Sequence, residues 1–224
     1  MAVTYQSISA VAHGSGGTAT TNAPSGVSVG DLLLLFLGTQ TSAASTTPGS
    51  GTWAIAKAKT GVSQAQVETF WKIADGTADD TPSITLTGSN DWQTYIVRCT
   101  GHHATVPIGD SDSNNGTGST VAVTPITVSD AGCLVFLCTQ TLLTSDTISS
   151  FPSGYTSMIN TALSGRGAFG IARQAFSVGD TPAGNITYAG TGSQKSNLSF
   201  EVVPAAGGGG GNRRRRVLFC GGAA

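Results

Sequence analysis

The sequence predicts an all-β protein made of two tandem antiparallel β-sandwich domains, and three observations support this class. First, segments recur about one hundred residues apart: Phe36-Leu37-Gly38-Thr39-Gln40-Thr41 returns as Phe136-Leu137-Cys138-Thr139-Gln140-Thr141, which indicates an internal duplication. Second, charged residues make up only 10 % of the chain, against roughly 25 % in an average domain. Third, short apolar segments alternate with turn-rich ones and none shows helical periodicity.

The predicted elements follow the same order in both copies. In the first copy, we expect strands at residues 8–12, 32–37, 53–58, 66–73, 84–86 and 94–99. In the second, we expect strands at residues 121–123, 134–137, 155–159, 168–176, 186–188 and 198–203. The continuously apolar run Leu32 to Leu37 predicts a strand that is buried on both faces. Cys and Trp at immunoglobulin spacing are missing, so a jelly-roll-like sandwich is favoured over an immunoglobulin-like one.

These elements divide the chain into residues 1–104, residues 105–204 and a C-terminal arm at 205–224. The polar stretch Gly101 to Thr120 is predicted to be a solvent-exposed linker between the sandwiches. Within the arm, five glycines, Gly207 to Gly211, follow Ala205 and Ala206 and are predicted to act as a flexible tether.

The end of the arm combines charge with apolar side chains. Four of the eleven basic residues are in the arm, which leaves seven to balance twelve acidic residues in the rest of the chain. A basic arm on an acidic body predicts docking onto a neighbouring copy; without interleaved aromatics, nucleic-acid binding is the weaker interpretation. The predicted assembly residues are Arg213, Arg214, Arg215, Arg216, Val217, Leu218, Phe219 and Cys220.

No catalytic residues, metal ligands or cofactor site are predicted. Gly26-Val27-Ser28-Val29-Gly30 fits the G-x-S-x-G pattern, but a strand follows the serine where a hydrolase has a helix. The stretch Asp110 to Gly116 resembles a calcium loop, but its glycine is misplaced and no acid stands at position twelve. Asp75, Asp79 and Asp80 can surround a cation, although the return of Asp80 as Asp180 favours a turn-capping role. His102 and His103 are adjacent, so their side chains diverge, and a surface turn is the better interpretation.

The remaining sequence features concern compartment and stability. Cys99, Cys133, Cys138 and Cys220 fit neither a zinc pattern nor a disulfide framework, and the first three are expected to be buried thiols. The N-terminus has no secretory pattern and the longest apolar run is too short to span a membrane. We therefore expect synthesis in a cytoplasm.

Three tryptophans lie in the first copy. Trp53 aligns with Tyr155, which predicts a core aromatic. Trp71 and Trp92 have no aromatic counterpart and are candidate stacking platforms for a glycan, although packing in the core or between the domains is the favoured interpretation.

Several motifs together resemble virion proteins of tailed bacteriophages and prophages. They are Val29-Gly30-Asp31-Leu32-Leu33-Leu34, Gly51-Thr52-Trp53, Phe70-Trp71-Lys72-Ile73-Ala74-Asp75-Gly76-Thr77 and Tyr95-Ile96-Val97-Arg98, followed by Val106-Pro107-Ile108-Gly109. The resemblance covers residues 1–204 and implies a non-enzymatic capsid decoration, collar or tail-associated protein, located in the virion and made in the cytoplasm of a bacterial host. Its implied partners are copies of itself and other virion proteins. The alternative hypothesis is a carbohydrate-binding adhesin that uses Trp71 and Trp92.

Overall fold

A computed structural model describes residues 1–40, 45, 48–49, 52–60, 65–143, 145–163 and 166–206. These residues form fourteen β-strands and one short 3-10 turn at Ala78–Asp80, with no α-helix among them. The predicted all-β class is confirmed. The strands are β1 (Thr4–Ile8), β2 (Ala12–Ala19), β3 (Leu32–Thr39), β4 (Ala54–Thr60), β5 (Gln66–Ile73), β6 (Ile84–Thr100), β7 (Ile108–Gly116), β8 (Thr120–Ala122), β9 (Cys133–Thr141), β10 (Ile148–Ser150), β11 (Thr156–Leu163), β12 (Gly167–Phe176), β13 (Asn185–Tyr188) and β14 (Lys195–Val202).

The strands form two large sheets and one small one, and all their pairings are antiparallel. The first large sheet has the order β1-β6-β3-β5-β4, with β2 also paired to β6. The second has the order β7-β14-β9-β12-β11, and β8-β13-β10 form the small sheet. Read from β1 and from β7, the two large sheets have the same strand order.

The registers of the central strands also correspond. Phe36 of β3 lies opposite Tyr95 of β6, and Phe136 of β9 lies opposite Phe200 of β14. Phe36 and Phe136 occupy the same position of the recurring sequence segment, and the strand pairing makes Tyr95 and Phe200 their equivalent neighbours.

The two large sheets pack face to face around one shared core. Phe36 of the first half contacts Phe136 and Phe200 of the second, with ring centroids 6.1 and 5.9 Å apart. Tyr95 stacks on Phe169 across the same interface, at 5.5 Å. The shared core consists of Val3, Leu32, Leu34, Phe36, Val67, Tyr95, Val97, Cys99, Leu134, Phe136, Cys138, Phe169, Ile171, Leu198, Phe200 and Val202.

Each half also has a core of its own on the opposite face of its large sheet. Leu33, Leu35 and Leu37 pack there under β2 and the first part of β6. Leu137 packs against the small sheet of the second half, and Val135 joins a neighbouring cluster. Because β3 and β9 are covered on both sides, their sequences are continuously apolar, as predicted.

Two predicted elements are wrong. The strand expected at residues 8–12 is absent, because β1 ends at Ile8, β2 begins at Ala12 and the residues between them belong to neither strand. Both strands pair with β6, where Ile8 lies opposite Val97 and Ala12 opposite Thr94, so the chain has one extra residue here and bulges.

Gly101 to Thr120 is not a solvent-exposed linker, because Ile108–Gly116 forms β7 and pairs with β14 at the edge of the second sheet. Asp, Asn and Ser have low strand propensity, but at an edge the outward side chains remain in water and no tight packing is required.

The sandwich has two distinct ends. At one, which we call the junction end, Val3 N–H donates to Gly132 O (2.8 Å) and Ala205 N–H to Gly101 O (2.7 Å). At the other, which we call the glutamine end, β3 and β9 finish with Thr39 and Thr141. The last described residue, Ala206, therefore leaves the fold at the junction end.

Candidate functional site

The two Thr-Gln segments of the repeat lie together at the glutamine end. The glutamine side chain of each segment contacts the other half of the protein. Gln140 is fully buried, its Oε1 accepts from Gln93 Nε2 (2.9 Å), and its Nε2 donates to Arg166 O (2.7 Å). Gln40 Nε2 donates to Leu142 O (2.6 Å). Each copy of the repeat thus places a glutamine against the other half. Carboxamides neither titrate nor act as nucleophiles, so this arrangement fixes the halves relative to each other.

The two segments of the repeat differ at their third position, and the packing between the halves explains this difference. Gly38 stands where the second copy has Cys138, and a Cβ at Gly38 would collide with Gln140 Oε1 and the ring of Phe169. Only glycine leaves room for these side chains of the other half.

Asp75, Asp79 and Asp80 surround a cation, as the sequence allowed. This cation is the side-chain ammonium group of Lys72. Its Nζ lies 2.9 Å from Asp80 Oδ1, 3.0 Å from Asp75 Oδ1 and 3.8 Å from Asp79 Oδ2. Burial lowers the pKa of Lys72, but its bonds to Asp80 and Asp75 more than offset this, so the pKa is raised. Hydrogen bonds from Thr77 and from Lys72 hold the pKa of Asp75 well below its usual range.

The turn-capping prediction for the repeated aspartates is confirmed. Gly76 N–H donates to Asp80 Oδ2 (2.9 Å), and Ser177 N–H donates to Asp180 Oδ2 (2.7 Å). These carboxylates satisfy backbone donors in equivalent turns.

Other charged and aromatic residues of the resemblance motifs also have roles in the fold. Asp31 Oδ2 accepts from Arg98 Nε (2.6 Å) and from Ser28 N–H (2.8 Å), which closes the turn before β3. Trp53 is buried and donates from Nε1 to Asp79 O (2.8 Å). The G-x-S-x-G serine therefore lies in a capped turn before a strand, without a nucleophile elbow.

The structure does not support the two candidate glycan platforms. Trp92 is only 5 % exposed, and its ring covers the backbone of Gly14, the residue opposite it on β2. Trp92 is therefore a core residue, because the missing side chain of Gly14 leaves a space that the indole fills. Trp71 is half-buried and packs against the shared core, so the two rings form no common exposed surface.

The adjacent histidines are held by backbone groups. Both ring nitrogens of His102 lie 3.0 Å from carbonyl oxygens, those of His103 and Gly30. His103 Nδ1 accepts from the N–H of Val106 (3.1 Å). These contacts place both rings in the turn that joins the halves, and within the described ranges no group of His, Cys, Asp and Glu has the geometry of a metal site.

Sequence reasoning missed a buried ion pair in the second half. Lys195 Nζ lies 3.0 Å from Asp146 Oδ2, donates to Ser193 O (3.2 Å) and faces the ring of Tyr188. Both charged side chains are almost completely buried. The two residues are 49 positions apart in the sequence, so no local sequence pattern predicts the ion pair.

A shallow pocket of about 160 Å³ lies beside this pair, lined by Asn115, Gly116, Thr117, Gln194, Lys195 and Ser196. Ligand pockets in proteins usually enclose roughly 300–1,000 Å³. The buried ammonium of Lys195 is already held by Asp146, so the pocket offers no free charge to a ligand.

The junction end is acidic in the second half. Asp110, Asp130 and Asp180 surround the loop at residues 127–130: Asp110 Oδ2 accepts from Thr127 N–H (2.9 Å), and Asp180 O accepts from Val128 N–H (3.1 Å). All three carboxylates reach solvent. Among the residues that the structure describes, no Lys or Arg forms an ion pair with them.

Below the same loop, Glu201 is buried. Its Oε1 accepts from Ser129 N–H (3.0 Å) and its Oε2 from Ser129 Oγ (2.9 Å). These contacts hold the loop at residues 127–130 against β14.

The predicted assembly residues, Arg213 to Cys220, lie outside the described residues. Compared with protein-family models, with curated proteins and with solved structures, the chain shows no significant match. In the described part of the chain, no helix has the length and apolar character needed to cross a membrane.

Proposed function

We propose that the protein is a non-enzymatic structural subunit of a tailed-phage virion, as a capsid decoration, collar or tail-associated protein, and that its C-terminal arm anchors it to neighbouring subunits. The observation that carries this proposal is which charged groups have partners within the fold and which do not. Lys72, Arg98, Lys195 and Glu201 are committed to contacts within the fold. The carboxylates at the junction end remain free of basic partners within the described residues, close to where the basic arm departs.

We also infer that the halves are two fused copies of one β-sandwich unit, of the jelly-roll-like kind. The equal strand order of the large sheets and the equivalent pairs Phe36–Tyr95 and Phe136–Phe200 support this duplication. Each sheet offers the same face to the other, which is the geometry of a twofold dimer. A fused pair of this kind gives a rigid body suited to packing in a particle.

A carbohydrate-binding adhesin is the weaker function. Glycan binding of this kind needs exposed aromatic rings. The burial of Trp92 removes one of the two candidate residues.

Deletion of residues 207–224 tests the proposed function. The truncated chain should remain folded, because the described fold ends at Ala206, yet it should not enter particles when it replaces the full-length protein in an infected or induced host. Particle composition measured by quantitative mass spectrometry gives the result. Normal incorporation of the truncated chain would show that the arm is not the anchor.

A further inference from the structure

The junction end carries exposed apolar side chains as well as acids. Met1, Val29, Val106 and Val178 are each more than half exposed, and all four belong to turns or termini at this end. By comparison, Leu143, the exposed large apolar side chain that the described residues place at the glutamine end, is 49 % exposed. Apolar tips grouped with unpaired carboxylates are typical of a contact surface.

The arm matches this surface in charge and in composition. Arg213 to Arg216 supply four positive charges, and Val217, Leu218 and Phe219 follow directly. Asp110, Asp130 and Asp180 supply three negative charges beside Val106 and Val178. Guanidinium groups bind carboxylates strongly and with defined geometry.

The arm can also reach the surface from its own attachment point. Arg213 is seven residues beyond Ala206, so an extended tether spans up to about 25 Å. Five strands at a spacing of about 4.8 Å make a sheet end roughly 20 Å wide. The whole junction end is within this range.

From the charge, the apolar tips and the reach, we propose that the junction end is the docking surface of the chain's own arm in the free protein. The proposal rests on the proposed function, in which the arm anchors neighbours. A tethered segment reaches millimolar effective concentration at its own surface, so the contact within one chain wins at low protein concentration. In a particle, the same contact exchanges between adjacent copies, as in domain swapping.

Cys220 provides the probe. Cys99, Cys133 and Cys138 are buried, so a nitroxide spin label attaches to Cys220 selectively in the native chain. Broadening of backbone amide signals then reports which residues the arm approaches. We expect signal loss at residues 104–110, 127–131 and 177–180 in dilute, monomeric protein, with recovery at high salt because the contact is ionic.

Three further samples complete the experiment. Asp110→Asn, Asp130→Asn and Asp180→Asn together keep an acceptor oxygen at each position and should abolish the signal loss. The control Asp91→Asn removes an acid at the glutamine end and should not. In the third sample, spin-labelled chain without ¹⁵N is mixed with ¹⁵N-labelled chain that carries no spin label. This mixture should show no broadening.

Three outcomes would overturn the proposal: broadening in the mixed sample, which identifies a second copy as the occupant, absence of broadening at the junction end, or broadening that survives the triple substitution. Because the measurement uses the free monomer, it is independent of particle incorporation. A chain whose arm docks but whose truncation still incorporates normally would refute the proposed function and leave the docking surface intact.

Discussion

The rings of Phe36 and Phe136 lie 6.1 Å apart between centroids, and each residue is the sequence counterpart of the other. The six-residue segment that recurs most clearly in the sequence therefore lies in the interface between the two halves. The proposed duplication places this pair near a twofold axis, because equivalent residues of a twofold arrangement meet only there. The repeat Phe-Leu-x-Thr-Gln-Thr combines an apolar contact in this interface with the glutamine contacts at one end.

Replacing Phe36 by Ala should destabilise the whole protein by ~3–5 kcal/mol, because a fully buried ring is removed from a core that both halves share. Urea denaturation followed by fluorescence and by circular dichroism should show one transition, shifted to lower urea by the same amount with both probes.

Ile55→Ala is the matched control for that variant. Ile55 lies on edge strand β4 and is half exposed, so its truncation should cost less than ~1 kcal/mol. Two separated transitions in Phe36→Ala, with the second half unchanged in stability, would contradict the shared core.

Breaking the glutamine contact should cost ~1–3 kcal/mol, because Gln140→Ala removes the buried acceptor of Gln93 Nε2 and leaves Arg166 O with only the longer bond from Gln93 Nε2 (3.4 Å). A double-mutant cycle with Gln93→Ala isolates the direct contact between the two side chains, and we expect a coupling of at least ~0.5 kcal/mol. Gln6→Ala, at an exposed hydrogen bond to Thr100, is the control. Additive effects of Gln93→Ala and Gln140→Ala would show that the two carboxamides are energetically independent.

The sequence supported predictions that depend on local pattern. The all-apolar run Leu32 to Leu37 predicted a strand covered on both faces, and burial on both sides is found. The repeated aspartates predicted turn caps, because a carboxylate three or four residues beyond a backbone donor closes such a turn. Both inferences need only information carried within a few residues.

Predictions that depend on distant partners were wrong or missing. For Trp92 the sequence left a glycan contact open beside the favoured core packing, and the ring is buried because Gly14, far away in the chain, lies opposite it. The polar stretch at 108–116 is a strand because β14 pairs with it. Lys195 and Asp146 meet only in the folded protein. In each case the partner is set by strand pairing across the fold, which composition and periodicity do not specify.

Substitution of Lys72 by Met should cost about 3 kcal/mol at pH 7, the lower end of the range for breaking a buried ion pair, because one of its partners, Asp75, is exposed. The pKa of Lys72 is raised in the folded state, so its contribution is full below the unfolded pKa of about 10.4 and is lost as pH rises through the folded pKa. The stability difference between wild type and variant should therefore be constant near neutral pH and shrink above pH ~10.

Urea titrations at a series of pH values measure this difference. Lys57→Met is the control, since Lys57 and Asp112 lie 3.8 Å apart and are partly exposed, which limits the effect to about 1 kcal/mol. A Lys72→Met difference that stays unchanged up to pH 11 would contradict the ionic role of this side chain.

The four thiols should differ sharply in reactivity. Burial raises the pKa of Cys99 to about 12 and that of Cys133 to about 11, and it raises the pKa of the fully buried Cys138 as well. Because the thiolate is the reactive form, these three should react with Ellman's reagent at pH 8 only when the protein unfolds. Native protein should release one equivalent rapidly, from Cys220, and unfolded protein four. Cys220→Ser should remove the rapid equivalent and leave three in the unfolded protein, whereas a second rapid thiol in the native chain would show that one of the cores opens to solvent.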